Sequence, residues 1–279
     1  LICCGVVWYN MGWQYFLLKG FSRLLCQLPY SLVLRLGSGL GFLHYHLGHS
    51  QRRRAIAQLQ ERLGVSGGEA AAIARRMFRN IGKTLLEILY IPALTPETLE
   101  RWVSIENRHY LDEALAGGHG AVILTAHFGN WEWMAARLVR AGFPVAAIAE
   151  TQPSPGLDQL LNEHRAMVGL SPYARGNALV AAMKALKAGN VLGFLADQDA
   201  KANGVFVGFF GRPASTPQGP AVFAQRCGAP VVPAFIVRQP RRGQRIVLSP
   251  PIYGDADGDH DQEILRLTAS MTRVMEERI

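Results

Sequence analysis

Cysteine is scarce in this chain, and what there is follows no metal-binding pattern. The 279 residues contain four cysteines, Cys3, Cys4, Cys26 and Cys227. Their spacing includes no CxxC pair and no Cys/His ligand set, so neither a zinc site nor a disulfide framework is predicted. We expect reduced thiols in a cytoplasmic setting, with no metal and no cofactor.

Acidic residues are missing from the first 60 positions. This stretch contains no Asp or Glu, but it carries six of the basic residues behind the net charge of +8: Lys19, Arg23, Arg35, Arg52, Arg53 and Arg54. Nucleic acid is one partner for such charge. The same stretch is also the most apolar in the chain, which favours the anionic headgroups of membrane lipids over nucleic acid.

An uninterrupted hydrophobic run is also lacking. Residues 1–18 are apolar and aromatic, but Asn10 and Gln14 make them marginal as a spanning helix. There is no basic start or small-residue cleavage site of a signal peptide. Residues 21–47 are expected to form two more apolar helical stretches, interrupted by Pro29 and by the glycines at 37, 39 and 41.

The basic triplet at 52–54 follows these apolar stretches. Together they predict helices at or across a membrane interface, with the basic end cytoplasmic. Core helices capped by a solvated basic turn are the alternative. We assign residues 1–50 to a helical membrane-associated segment and residues 51–279 to an α/β domain, with both chain ends treated as incomplete.

Strands and helices alternate in the second part. Amphipathic helices are predicted at 52–63 and 68–91. Further helices are predicted at 108–116, 130–141, 157–168 and 177–188, with strands at 120–126, 144–149, 190–196, 230–237 and 244–249. This alternation predicts an α/β fold with a largely parallel sheet covered by helices.

His127 and Glu132 flank a strand–loop–helix corner. The apolar run 121–124 predicts a buried strand that ends near His127, and Asn130 is a good N-cap for the next helix. Open α/β sheets place their chemistry at such strand ends. The corner could fold the imidazole against the carboxylate, so that Glu132 holds one ring nitrogen and the other takes a proton from a hydroxyl. A structural histidine and a carboxylate that only complements the helix dipole are the alternative.

Three further clusters follow. Arg175 lies in a predicted loop, either solvated or as an anion ligand. Asp197 and Asp199 end a strand, where they could orient a base, pair with Arg, bind a metal or simply form a turn. The stretch 204–220 could offer an apolar groove and an anion site at a helix N-terminus, with these candidate residues: Phe209, Phe210, Arg212 and Thr216.

The order of these motifs resembles the bacterial lipid A biosynthesis acyltransferases, the late lauroyl and myristoyl transferases of the lysophospholipid acyltransferase superfamily. The resemblance runs from about Leu24 onward and rests on residues 124–132, 196–199, 205–220 and 228–233. It implies a glycerol-3-phosphate acyltransferase-like fold. Members of this family usually continue into a tail rich in Trp and Arg, which this sequence does not show.

The resemblance also implies a function. These enzymes move a fatty acyl chain from acyl carrier protein to a hydroxyl of a lipid A precursor, at the cytoplasmic face of the inner membrane. Their signature is a His and an acidic residue with four positions between them, matched by His127 and Glu132. By analogy, His127 is the general base and Glu132 orients it. Arg175 and Arg212 become candidates for the phosphates of the acceptor, and no metal is needed.

Three other readings stay open. The acceptor could be another membrane glycolipid, such as a phosphatidylinositol mannoside. The protein could be a thioesterase-like hydrolase, although the alternating strand–helix part contains no Gly-x-Ser-x-Gly elbow of a serine hydrolase. It could also be a membrane-associated binding protein without catalysis.

Overall fold

The chain forms two compact units in a computed structural model that describes residues 12–149, 152–174, 178–240, 243–255 and 257–279. One unit comprises Leu1–Leu94 with Gln152–Met167, and the other comprises Thr95–Thr151 with Val168–Ile279. The apolar start at 1–11 lies outside the described residues. The boundary near residue 50, drawn for membrane contact, stays a prediction.

The helices and strands follow one another in the order expected from the sequence, with additions. The helices are α1 (Trp13–Leu25), α2 (Tyr30–Leu47), α3 (His49–Leu63), α4 (Gly67–Leu89), α5 (Pro96–Trp102), α6 (His109–Ala116), α7 (Trp131–Arg140), α8 (Pro155–Met167), α9 (Ala178–Lys187), α10 (Gly219–Cys227) and α11 (His260–Glu276). The strands are β1 (Val103–Glu106), β2 (Ala121–Thr125), β3 (Val145–Ala149), β4 (Ser171–Ala174), β5 (Val191–Leu195), β6 (Val205–Phe209), β7 (Arg212–Thr216), β8 (Val231–Arg238) and β9 (Gln244–Leu248).

In the first unit, α2 and α4 touch backbone to backbone. A Cβ on Gly37 would lie 2.6 Å from the Cα of Lys83, and one on Gly41 would lie 2.6 Å from the Cα of Arg79. Position 37 thus faces 83 while position 41 faces 79, so the two helices run antiparallel. The sequence expectation that these glycines interrupt the helix is wrong: α2 continues through them because they provide room for α4.

A small polar network fixes α1 on α8 in the same unit. Glu163 accepts hydrogen bonds from the hydroxyl of Tyr15 at 2.7 Å and from Nζ of Lys19 at 2.9 Å. The hydrogen bonds with Tyr15 and Glu163 raise the pKa of Lys19. No helix among the described residues is both long and apolar enough to cross a lipid bilayer.

The second unit contains a seven-stranded sheet in the order β1-β9-β8-β2-β5-β3-β4. Strands β8, β2, β5, β3 and β4 run parallel, and β9 reverses direction against β8. The predicted α/β class with a largely parallel sheet is confirmed. Strands β1 and β4 and the antiparallel hairpin of β6 and β7 were not predicted, because each of these strands has only four or five residues.

Helices α10 and α11 cover one face of the sheet. Their buried side chains form one core with the strands, to which Leu124, Leu192, Phe223, Leu267 and Met271 belong. The five residues of β2 are all buried, as expected of a central parallel strand. This rigid centre determines where β2 and β5 end.

Candidate active site

His127 projects from the carboxyl end of β2. The strand ends at Thr125, Ala126 is still buried, and His127 is the first residue of the turn with an exposed side chain, at 36%. The edge of the Trp131 indole packs against the imidazole, with ring centroids 4.8 Å apart. The corner between β2 and α7 therefore has the predicted form, with its histidine open to a reactant on one side.

Asp197 meets His127 from the neighbouring strand. Strands β2 and β5 are parallel and in register, with Thr125 opposite Leu195, so the residues two positions beyond them come together. The Oδ1 atom of Asp197 lies 2.8 Å from Nδ1 of His127. The Oδ2 atom accepts the backbone N–H of His127 at 3.0 Å. One carboxylate therefore holds both the ring and the main chain of the histidine.

The charge of Asp197 determines where the proton lies on the ring. Burial by itself would raise the pKa of Asp197, but the hydrogen bonds and charge of His127 outweigh it and hold that pKa below its ordinary range. The carboxylate is then ionised at neutral pH and can only accept. When the ring is neutral, Nδ1 carries the hydrogen that this carboxylate accepts, which leaves Nε2 as the basic nitrogen.

Glu132 lies in the first turn of α7 and is 6% exposed. The side chain of Asn130 caps this helix by accepting the N–H of Trp133 at 3.1 Å, as the sequence predicted. Nδ1 of His127 is hydrogen-bonded to Asp197, and the role of Glu132 in orienting the ring stays a prediction. The site therefore has two acidic residues near the corner, of which Asp197 is bonded to the histidine.

Gln244 contacts the turn between β2 and α7, and it was not among the residues predicted for the site. It is 1% exposed at the start of β9, and its Oε1 accepts the backbone N–H of Asn130 at 2.9 Å. Gly129 has φ of +48°, and a Cβ there would lie 2.8 Å from Oε1 of Gln244 and nearer still to the carbonyl oxygen of Ile236. The only hint in the sequence was a polar residue at the start of an apolar strand.

Asp199, the second acidic residue after β5, has a different hydrogen-bond partner from Asp197. Asp199 is exposed, and its Oδ1 accepts the backbone N–H of Lys201 at 2.9 Å, which is the turn role weighed in the sequence. Arg175 lies outside the described residues. No group of three or more His, Cys, Asp or Glu side chains among the described positions could hold a metal ion.

The candidate residues at 209–216 lie on the β6–β7 hairpin. Phe209 pairs with Arg212 across the turn, and the rings of Phe209 and Phe210 are 4.7 Å apart. Thr216 is buried and donates to the carbonyl of Ala214 at 3.3 Å. The backbone N–H of Phe210, at φ of +47°, donates to the carboxylate of Glu276.

The hairpin is tied to the loop that carries Asp197. The N–H of Ala200 donates to the carbonyl of Ser215 at 3.0 Å, and Oγ of Ser215 donates to the carbonyl of Lys201 at 2.6 Å. A set of half-buried apolar side chains packs on the sheet core in this unit: Phe128, Met183, Phe194, Val205, Phe209 and Val222. Phe128 immediately follows the histidine, so this apolar set begins beside the polar pair.

Comparison with known proteins gives concordant matches. Phosphatidylinositol mannoside acyltransferase of Mycobacterium tuberculosis is 28% identical over 206 residues, covering 70% of this chain and 63% of the relative. Lipid A biosynthesis lauroyltransferase of Escherichia coli is 28% identical over 245 residues, covering 86% and 79%. A lipid A biosynthesis acyltransferase of Haemophilus influenzae is 27% identical over 205 residues, covering 72% and 65%. The matches thus span a little under two thirds of the mycobacterial and Haemophilus relatives.

The family model described as bacterial lipid A biosynthesis acyltransferase matches residues 8–279. That range contains both the His127–Asp197 pair and the hairpin, and it is nearly the whole chain. The protein therefore belongs to the bacterial lipid A biosynthesis acyltransferase family.

Proposed function

We propose that this protein is an acyltransferase that moves a fatty acyl chain from a thioester donor to a hydroxyl of a membrane glycolipid. The observation that carries the proposal is the His127–Asp197 pair at the ends of two adjacent parallel strands. A neutral histidine with one nitrogen fixed and the other open is suited to remove a proton from an alcohol. The membership of the protein in an acyltransferase family supports the same chemistry.

The reaction needs one base and no covalent enzyme intermediate. Nε2 of His127 takes the proton as the acceptor oxygen attacks the thioester carbonyl carbon. The C–S bond then breaks, and the thiolate leaves with the proton from the imidazolium. Asp197 keeps Nδ1 protonated throughout and stabilises the imidazolium by its charge. The new ester and the free thiol balance the atoms of the two substrates.

Glu132 and the hairpin have supporting roles in this proposal. Asp197 holds Nδ1 of the base, and Glu132 remains our candidate for orienting the same histidine. Glu132 is buried in the first turn of α7, the helix that follows the turn of the base. Arg175 and Arg212 remain our candidates for acceptor phosphates, and backbone N–H groups near Gly129 or Gly219 remain candidates for the oxyanion.

The acyl chain itself is expected to lie along the half-buried apolar side chains. These begin at Phe128, next to the base, and include Phe194 and Phe209. An acyl chain placed there would be removed from water by contact with the aromatic rings. This burial would stabilise binding by about 25 cal/mol per Å² of apolar area. This arrangement places a long apolar substituent and a polar reaction centre side by side.

The donor and the acceptor are proposed from the family. Acyl carrier protein is our first donor. A lipid A precursor of the Kdo-lipid IVA type is our first acceptor, because the Escherichia coli relative is a lipid A biosynthesis lauroyltransferase. A phosphatidylinositol mannoside is the second acceptor, because the Mycobacterium tuberculosis relative is a phosphatidylinositol mannoside acyltransferase.

We propose the cytoplasmic face of the inner membrane as the place of action. The first unit exposes many large apolar side chains, among them Trp13, Leu17, Leu24 and Leu47, each more than 60% exposed. A protein surface with many large exposed apolar side chains is typical of a contact site. Interfacial helices of this kind support access to a membrane-bound acceptor.

The decisive experiment compares purified wild type with His127→Ala and Glu132→Ala, with acyl carrier protein thioester and a lipid A precursor as substrates. Transfer by wild type and a loss of at least about 100-fold in His127→Ala is the expected result. Unchanged thermal unfolding in the variants shows that folding is intact. Equal turnover by wild type and His127→Ala would reject the mechanism.

The rival functions give different results in the same assay. A thioesterase-like hydrolase releases free fatty acid at the same rate with and without acceptor. A serine nucleophile is disfavoured: the sequence Gly64-Val-Ser66-Gly-Gly68 lies between two helices, where Oγ of Ser66 caps α4 by accepting the N–H of Glu69 at 3.2 Å. A binding protein consumes no thioester. Transfer to a phosphatidylinositol mannoside alone would change the acceptor and leave the chemistry in place.

A further inference from the structure

The antiparallel pair of α2 and α4 has two unlike sides. On α4, Arg75 lies two positions before Met77, and Arg79 lies two positions before Ile81. Residues two positions apart lie on nearly opposite sides of a helix. The glycine contacts bring the two helix axes close, so each side of the pair is continuous across both helices. The pair is therefore a thin slab with two separate surfaces.

One surface is apolar. It consists of exposed side chains at four-residue intervals on each helix, and these rows flank the glycine contact: Leu32, Leu36 and Leu40 on α2, and Met77, Ile81 and Leu85 on α4. Each of the six is between 38% and 51% exposed. This surface contains no charged residue in either row, which suits the membrane contact proposed above.

The other surface carries three arginines held over aromatic rings. The guanidinium of Arg79 lies 5.3 Å from the centre of the Phe42 ring. Those of Arg52 and Arg75 lie 5.4 Å and 5.7 Å from the centre of the Tyr45 ring. Arg52 also donates to the carbonyl of Tyr45 at 3.3 Å. The rings limit the positions that these long side chains can adopt.

These three arginines have no carboxylate partner within the described parts of the chain. The ion pair between Lys19 and Glu163, which lies in the same unit, involves none of them. An arginine that is positioned by a ring and by a carbonyl, yet unpaired, retains its donors for an external anion. Three of them in one place form a site for an acidic surface rather than for a single ion.

We propose that this cluster of Arg52, Arg75 and Arg79 is the docking site for the acidic carrier protein that delivers the acyl thioester. The inference rests on the proposed function, because it assumes a carrier protein as donor. Charge complementarity selects an acidic partner. The opposite placement of the apolar rows selects a soluble one, because a bilayer that covers Leu36 and Ile81 leaves the arginines on the side that faces away from it.

The arginines are accessible to solvent, and this limits the strength of their ion pairs with the carrier protein. A single ion pair between exposed side chains is weak and screened by salt, so one arginine contributes little. Three pairs made together change the affinity measurably, and they raise the association rate with an oppositely charged partner. We expect the triple variant to bind the carrier protein about tenfold more weakly at low salt, with the difference closing as salt is added.

The test uses Arg52→Gln/Arg75→Gln/Arg79→Gln in the full chain. Its KM is measured for acyl carrier protein thioester and for the same acyl group on free phosphopantetheine, which has no protein surface. The expected result is a KM raised about tenfold for the carrier protein and unchanged for the small donor, with kcat unchanged. A second variant, Arg75→Lys/Arg79→Lys, keeps the charge and should retain most of the affinity.

The matched control removes three positive charges from the other unit, as Arg101→Gln/Arg226→Gln/Arg273→Gln. It should leave both KM values at wild type, which excludes an effect of net charge. An equal KM increase in the control and in the cluster variant would overturn the docking site. So would a KM increase that is the same for both donors.

Direct binding distinguishes failure of the docking site from failure of the proposed function. The dissociation constant of labelled acyl carrier protein is measured for wild type and for the cluster variant, and it requires no transfer. If wild type transfers no acyl group but binds the carrier through the cluster, the proposed reaction fails and the docking site stands. If the variant binds the carrier as wild type does but loses affinity for anionic vesicles, the cluster belongs to the membrane and the inference is wrong.

Discussion

Asp197 accepts two hydrogen bonds from one residue, the ring Nδ1 of His127 at 2.8 Å and its backbone N–H at 3.0 Å. The two contacts fix the ring rotation and the chain at the end of β2 at the same time. Because the ring nitrogen and the amide belong to the same residue, a shift of β5 against β2 would disturb both. The chemistry is thus coupled to the register of the central strands.

Replacement of Asp197 by Asn should reduce kcat strongly and leave KM for both substrates within a factor of about three. The amide lacks the charge that favours protonation at Nδ1 and stabilises the imidazolium. Loss of an aspartate in this role reduces kcat by about 10⁴ in the best-studied triad. Initial rates of transfer measure the effect. Asp199→Asn is the control: that side chain only closes a turn on Lys201, so its rate should remain near wild type.

The acid stability of the Asp197 contact gives a second prediction. The pKa of Asp197 is below its ordinary value of about 4, so its contribution to stability is present above pH 4 and is lost as the pH falls through the lower value in the folded state. Wild type should therefore unfold at a higher temperature than Asp197→Asn at about pH 5 to 7. The two melting temperatures should converge as the pH falls through the lowered pKa of Asp197. A difference that already vanishes near pH 5 would contradict the lowered pKa.

The corner between His127 and α7 depends on close contact at Gly129. Gly129→Ala should abolish most of the transfer, because the new Cβ would collide with the carbonyl of Ile236 and with Gln244 and so displace the turn next to the base. Gly142→Ala is the matched control: its φ is +92°, but nothing lies within 4 Å of a new Cβ. Gly142→Ala introduces the backbone strain of a positive φ without a steric clash, so its activity should be close to that of wild type. Transfer rates and thermal unfolding of both variants separate the two effects.

Gln244→Ala tests the same corner from the side of β9. It leaves the buried N–H of Asn130 without its acceptor, which costs about 1–3 kcal/mol. We expect a lower melting temperature and a reduced kcat. Gln244→Glu keeps an acceptor at the same position, so it should recover kcat more than stability. Identical kcat values for Gln244→Ala and wild type would show that the contact is structural only.

The sequence predicted the parts of the site that are local. The strand predicted at 120–126, the N-cap at Asn130 and a histidine at the carboxyl end of the strand follow from neighbouring residues. The structure has all three, with β2 at Ala121–Thr125. The pairing of His127 with Asp197 does not follow from neighbouring residues, because it depends on β5 lying between β2 and β3, out of chain order. Orienting a base was one of four roles weighed for Asp197. The sequence offered no means to choose among them.

Gln244 and the β6–β7 hairpin show a second limit. Gln244 acts on a residue 114 positions earlier in the chain, through a hydrogen bond that only the assembled sheet creates. The stretch 204–220 predicted an apolar groove and an anion site, but it did not predict that Val205–Phe209 and Arg212–Thr216 pair as antiparallel strands. The resemblance to a family selected residues 196–199 and 205–220 as candidate site segments. How these segments are arranged in space can be seen only in the folded structure.

The glycines of α2 allow a test that separates packing from helix propensity. Gly41→Ala should destabilise the first unit by about 1–3 kcal/mol, because its Cβ would lie 2.6 Å from the Cα of Arg79 and force α2 from α4. Gly39→Ala is in the same helix with nothing within 4 Å, so it should stabilise the protein by up to about 1 kcal/mol. Urea unfolding followed by circular dichroism measures both. Equal and small shifts would mean that α2 and α4 do not touch through these glycines. Opposite signs would show that α2 needs its glycines for contact with α4 and not for flexibility.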